Sequence, residues 1–162
     1  TSEDLQVDET VGDVDEVEER AAKRIPVKFH DECIDRISAH LGMPLIKQGR
    51  CTYINGDESV RLLCINSKEY NRPGMVGYWY SFHPSQKDFL NEGETSFVAF
   101  GCGSADQIVL IPSGEFQKHL GDMRTTENPR FYWHVDIFKK EAVFLLNKPT
   151  DAGIDVTQYL IK

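Results

Sequence analysis

The chain has 162 residues and 40% hydrophobic content, enough for one domain with a packed core and short for two. Its formal charge is −8, but residues 1–24 hold nine acidic and three basic residues, leaving 17 acidic and 15 basic in 25–162. A near-neutral folded part excludes a general polyanion-binding protein of high pI while leaving room for a local basic groove, and no apolar run approaches the roughly 18–20 residues of a membrane span. Four cysteines, Cys33, Cys51, Cys64 and Cys102, lack the short paired spacing of zinc ribbons or redox dithiols, so reduced thiols in a cytoplasmic protein are expected.

Residues 1–24 are acidic and poor in aromatics, which reads as a flexible tail or linker able to engage a basic protein partner. The globular part, 25–162, opens with a helix: Asp31 is a cap candidate, Ile34, Ile37 and Leu41 recur on one face, and Gly42 with Pro44 stops it. Two strands, residues 45–54 and 59–67, flank Asn55-Gly56, a dipeptide that favours hairpins. After a loop at 71–74 comes a third strand, 76–82, and then a helix begun by Pro84. Residues 95–101 and 108–111 are continuous apolar runs, the pattern of strands buried on both faces, and so are placed mid-sheet. Ser113 caps a short helix, strands follow at 131–138 and 142–146, and a turn at 156–160 closes the chain. The order α-β-β-β-α-β, then β-α-β-β-α, gives an α+β domain with a mixed or mostly antiparallel sheet flanked by short helices.

Two aromatic segments, Gly77-Tyr-Trp-Tyr-Ser-Phe-His-Pro84 and Arg130-Phe-Tyr-Trp-His-Val-Asp-Ile-Phe138, each place a histidine on an otherwise apolar strand. Side chains alternate between the faces of a strand. Phe131, Trp133, Val135 and Ile137 therefore share one apolar row, with Tyr132, His134 and Asp136 in the other. Trp79, Ser81 and His83 likewise share a face. If the two strands meet in one sheet, Trp79, His83, Tyr132, His134 and Asp136 converge. His83, His134 and Asp136 are then catalytic candidates, since imidazole and carboxylate serve as acid, base or ligands for a divalent metal. Trp79 and Tyr132 are stacking candidates. Gly101-Cys-Gly-Ser-Ala-Asp106 reads as a hairpin turn that offers Cys102 as a nucleophile without an assigned base.

The leading order α-β-β-β-α-β, over about residues 28–101, resembles the core of restriction-endonuclease-like nucleases, the PD-(D/E)XK superfamily. That resemblance implies metal-binding acids and a lysine on the second and third strands. In this chain 77–82 holds no acid-x-Lys, Asp57 and Glu58 fall in a turn, and Asn66 stands before Lys68 where the pattern needs an acid. The metal site is expected to be degenerate. Together with Arg50, Arg61 and Lys68 as binding candidates, the expectation is a nucleic-acid recognition module, a divergent nuclease-like domain of a bacterial defence or repair protein. The alternatives are a non-enzymatic protein-interaction domain that uses the acidic tail, and a small metal-dependent hydrolase built on His83, His134 and Asp136.

Overall fold

The computed structural model describes residues 27–146 and 153–162; the acidic segment lies outside them. Helix α1 (Val27–Leu41) starts four residues before Asp31, because the row it buries begins at Phe29 and continues through Cys33 and Ile37 at four-residue spacing. Gly42 ends it at φ +73°, with the Gly42 and Met43 amides donating to the Ser38 carbonyl. The expected first strand is broken in two, β1 (Ile46–Lys47) and β2 (Thr52–Ile54), which pair with each other.

The Asn55-Gly56 hairpin joins β2 to β3 (Val60–Ser67). Its left-handed residue is Glu58, φ +63°, rather than Gly56, because Asn55 Oδ1 accepts the Val60 N–H and locks a longer loop. The segment expected as a loop at 71–74 is a second hairpin, β4 (Tyr70–Arg72) to β5 (Met75–Phe82), turned by Pro73-Gly74 with Gly74 at φ +75°. There follow α2 (Pro84–Asn91), β6 (Thr95–Cys102), β7 (Ile108–Pro112), α3 (Ser113–Gln117), a 3-10 turn at Leu120–Asp122, β8 (Thr125–Thr126), β9 (Tyr132–Lys140), β10 (Val143–Leu146), β11 (Ile154–Asp155) and a 3-10 turn at Thr157–Tyr159.

The architecture is mixed α+β, with the strands divided between two sheets. The first runs β1-β2-β3-β6-β7, with β3 and β6 parallel and the other pairs antiparallel. The second runs β11-β10-β9-β5-β4, with β8 also on β9, and is antiparallel throughout. Of the two strands expected mid-sheet, β6 is interior, between the central β3 and β7, whereas β7 is an edge strand, capped by a single bridge from Val109 to Leu160. Its residues are apolar on both sides because the first sheet is covered on both.

Alternation then sorts side chains into layers. Leu63 and Ile65, Tyr78, Tyr80 and Phe82, Val98 and Phe100, and Val135 and Ile137 meet between the sheets. Leu62, Cys64, Ala99, Ile108 and Leu110 turn the other way, against Phe29, Cys33 and Ile37 of α1. Leu90 of α2 and Phe116 of α3 also enter the inter-sheet core. Among the described residues, the buried side chains of α1, α2 and α3 are thus spent on the first sheet and the inner core, and none lies on the outer face of the second sheet. Among the described residues, no helix is long and apolar enough to cross a membrane.

Candidate functional site on the outer face of the second sheet

The two aromatic strands are neighbours. β5 and β9 pair antiparallel with Trp79 opposite Asp136, Ser81 opposite His134 and Gly77 opposite Phe138. Directly opposed residues in such a pair project to the same side. Trp79, Ser81, His83, Tyr132, His134 and Asp136 therefore share the outer face, backed by the inner row of Tyr78, Tyr80, Val135 and Ile137.

The polar groups of this face are bonded to one another. Trp79 Nε1–H donates to His134 Nδ1 at 3.2 Å, and His134 Nε2 meets Thr126 Oγ1 at 2.6 Å. Ser81 Oγ lies 3.2 Å from His83 Nε2. Arg124 pairs with Asp136 at 3.6 Å. Burial pushes the Asp136 carboxyl above its ordinary value, and the charges of Arg124 and Arg72 oppose that rise. His83 precedes α2, where the Gln86 side-chain oxygen accepts its backbone N–H at 2.9 Å.

The two imidazoles do not converge on one point. The Tyr132 ring lies between them, 5.3 Å from His83 and 5.1 Å from His134 by ring centres, and both nitrogens of His134 are bonded within the protein. Among the described residues no three His, Cys, Asp or Glu side chains gather closely enough to hold a metal ion. His83, His134 and Asp136 share a face without forming a coordination sphere for a divalent metal. Trp79 and Tyr132, the stacking candidates, are 5% and 0% exposed, so neither presents an open ring face.

The accessible rings are others. Tyr70, opposite Gly77, and Phe138, also opposite Gly77, stand half-buried on the same face. A side chain at Gly77 would meet Phe138 Cε1 at 3.2 Å and Arg72 Cγ at 3.5 Å, so this glycine clears the floor on which both lie. Arg72 is exposed, its guanidinium 5.4 Å from the centre of the Tyr70 ring, and Lys140 follows Phe138 on the same alternation. Strand parity alone reaches Phe138; Arg72 and Tyr70 needed the Pro73-Gly74 turn to be read as a hairpin rather than a loop.

Two of the basic residues expected to bind, Arg50 and Arg61, belong to the first sheet. Arg50 is exposed in the turn between β1 and β2 of the first sheet. Arg61, on β3, donates from Nη1 to the Phe89 carbonyl at 3.2 Å, lies over the Phe89 ring at 4.8 Å and pairs with Glu92 at 3.8 Å. Its work is to close the C-terminal end of α2. Lys68 directly follows β3, whereas Asp57 and Glu58 precede it, so an eight-residue strand, about 25 Å, separates them.

Asn66 is a cross-link. Its Nδ2 donates to His30 Nδ1 at 3.0 Å, and a side chain at Gly101 would meet its Oδ1 at 2.0 Å, so the amide fills the space that Gly101 leaves. His30 Nε2 in turn bonds the Tyr53 hydroxyl at 2.7 Å. Cys102 is fully buried, 3.2 Å from the Tyr80 hydroxyl, and burial pushes its thiol up to about 12. A thiol held protonated is no nucleophile, which corrects that candidate. Comparison with known protein families, curated proteins and solved structures finds no match to this chain.

Proposed function

We propose that the chain is a nucleic-acid recognition module that binds a single strand on the outer face of the second sheet. One observation carries the reading: the half-buried rings of Tyr70, Phe138 and His134 share a face with the cations Arg72, Arg124 and Lys140. Rings on a sheet stack bases with little sequence preference, and cations beside them take the phosphates. A single strand suits the face better than a duplex because stacking requires unpaired bases.

Recognition rather than cleavage fits the residues. Asn66 takes the position at which the nuclease pattern needs an acid and is spent on His30. The test is fluorescence anisotropy of the full chain with labelled single-stranded DNA and RNA and the matching duplexes at low salt. Single strands bind more tightly than duplexes, and Phe138→Ala weakens the single-strand complex by roughly 1–3 kcal/mol. Equal binding of duplex and single strand, untouched by Phe138→Ala, overturns the reading.

A further inference from the structure

We propose that Phe131 and Trp133, with Lys87 and Arg130, form a second binding site, which takes a nucleoside phosphate by stacking its base on the Trp133 indole. The site is separate from the face proposed above. Trp133 stands opposite Phe82 in the inner row of β9, and Phe131 continues that row just before the strand begins.

The inner row changes character along its length. Val135 and Ile137 are fully buried between the sheets, whereas Trp133 and Phe131 are half-buried. The cause is where β5 stops: Phe82 is its last residue, and at His83 the chain turns away into α2. Past that point β9 has no partner in β5, so two large rings overhang the end of the inter-sheet core. Packing holds the indole in place, with Phe82 at 5.6 Å between ring centres and Phe131 edge-on at 4.8 Å and 89°. Among the described residues no acceptor meets the Trp133 indole N–H. A fixed, half-open indole with an unspent donor is what a recognition surface offers.

The cations decide what the ring takes. Lys87 of α2 places its Nζ 5.9 Å from the centre of the indole ring, at the outer limit of a cation–π contact, so it is lightly held there and free to turn to an anion. Arg130, exposed, directly precedes Phe131. Asp88, the acid next to Lys87, leaves the helix about 100° away from it. Positive charges beside the ring repel a cationic ligand such as a methylated lysine and attract one that joins a planar ring to an anion. A nucleotide is that combination: its base lies on the indole, and its phosphate meets Lys87 and Arg130. This chemistry is shared by a free nucleotide and by a nucleotide within a single strand.

The test is tryptophan emission of the full chain, corrected for nucleotide absorption, during titration with adenosine monophosphate, adenosine, inorganic phosphate and a short single strand. Trp79 is buried and Trp133 half-buried, so quenching by a bound base reports on Trp133. The monophosphate quenches saturably, inorganic phosphate does not, and Trp133→Phe abolishes the quenching. Lys87→Ala weakens the monophosphate by about two- to fivefold and leaves adenosine unchanged. A strand that binds more tightly than the monophosphate identifies the strand as the source of the nucleotide, and the reverse order identifies the free nucleotide; either supports the site. Equal quenching in Trp133→Phe and the full chain overturns it, as does the absence of saturable quenching by both monophosphate and strand. Saturable quenching by the monophosphate, with no single-strand binding in the anisotropy experiment, keeps this site and overturns the outer face.

Discussion

Trp79 and His134 are tied across β5 and β9 by a hydrogen bond that fixes the imidazole's tautomer. The indole N–H can only donate, so His134 Nδ1 accepts it at 3.2 Å and the proton sits on Nε2, which donates to Thr126 Oγ1 at 2.6 Å. The pair is diagonal, two residues apart in register, since Trp79 stands opposite Asp136 and His134 opposite Ser81. One side chain thereby joins β5, β9 and β8 and holds the floor of the face rigid.

His134→Ala leaves the indole N–H of a buried tryptophan without its acceptor, and the expected cost is roughly 1–3 kcal/mol in urea unfolding. Trp79→Phe in that background removes the orphaned donor and recovers part of the loss. A double-mutant cycle reads the coupling; two losses that simply add contradict the bond.

Arg61→Ala removes a charged donor to the Phe89 carbonyl and the stack over the Phe89 ring. The expected loss is about 1–2 kcal/mol of stability with nucleic-acid affinity unchanged. A fall in affinity at constant stability contradicts its assignment to α2 and returns it to the binding candidates.

The reach of sequence reasoning differs between strands and sheets. Period-two alternation placed Trp79, His83, Tyr132, His134 and Asp136 on one face, and the outer row of β9 follows from it. Alternation cannot say what lies across that face, so Trp79 and Tyr132 read as stacking surfaces although both are buried. Nor does it count sheets: β3 and β5 are consecutive long strands, yet one lies in each sheet, because the turn at Pro73-Gly74 builds β4 as the partner of β5. Arg61 and Asn66 were illegible for the same reason. Their partners, Phe89 and His30, lie 28 and 36 residues away and come from helices.

Burial, aided by the Lys47 charge and opposed by Asp31, holds His30 below the ordinary histidine value. A base kept neutral by the fold contributes stability that is present above its unfolded pKa of about 6.5 and lost as pH falls through it towards the folded value. Thermal midpoints are expected to drop on acidification below about pH 6.5, and His30→Gln flattens that slope. Asp136, raised by burial, favours the fold as pH falls, so the comparison is made in an Asp136→Asn background. An unchanged slope in the His30 variant contradicts the assignment.

Cys33, Cys64 and Cys102 are buried, whereas Cys51 is half-exposed. The Cys33 hydrogen bond and burial push the Cys64 thiol well up, and burial does the same for Cys102. Iodoacetamide at pH 8 is expected to alkylate Cys51 in the folded protein and the other three only after unfolding. Peptide mass spectrometry reads the order of labelling; early modification of Cys102 contradicts its placement.

The most direct test of the binding face is the salt dependence of single-strand affinity for the full chain and for Arg72→Ala, Arg124→Ala and Lys140→Ala. If these cations hold phosphates, log affinity falls linearly with log salt, and each substitution weakens binding and reduces the slope by about 0.7. Lys118→Ala, whose side chain pairs with Glu115 away from the face, changes neither. Slopes that stay the same in all three face variants contradict the assignment of nucleic-acid binding to the outer face of the second sheet.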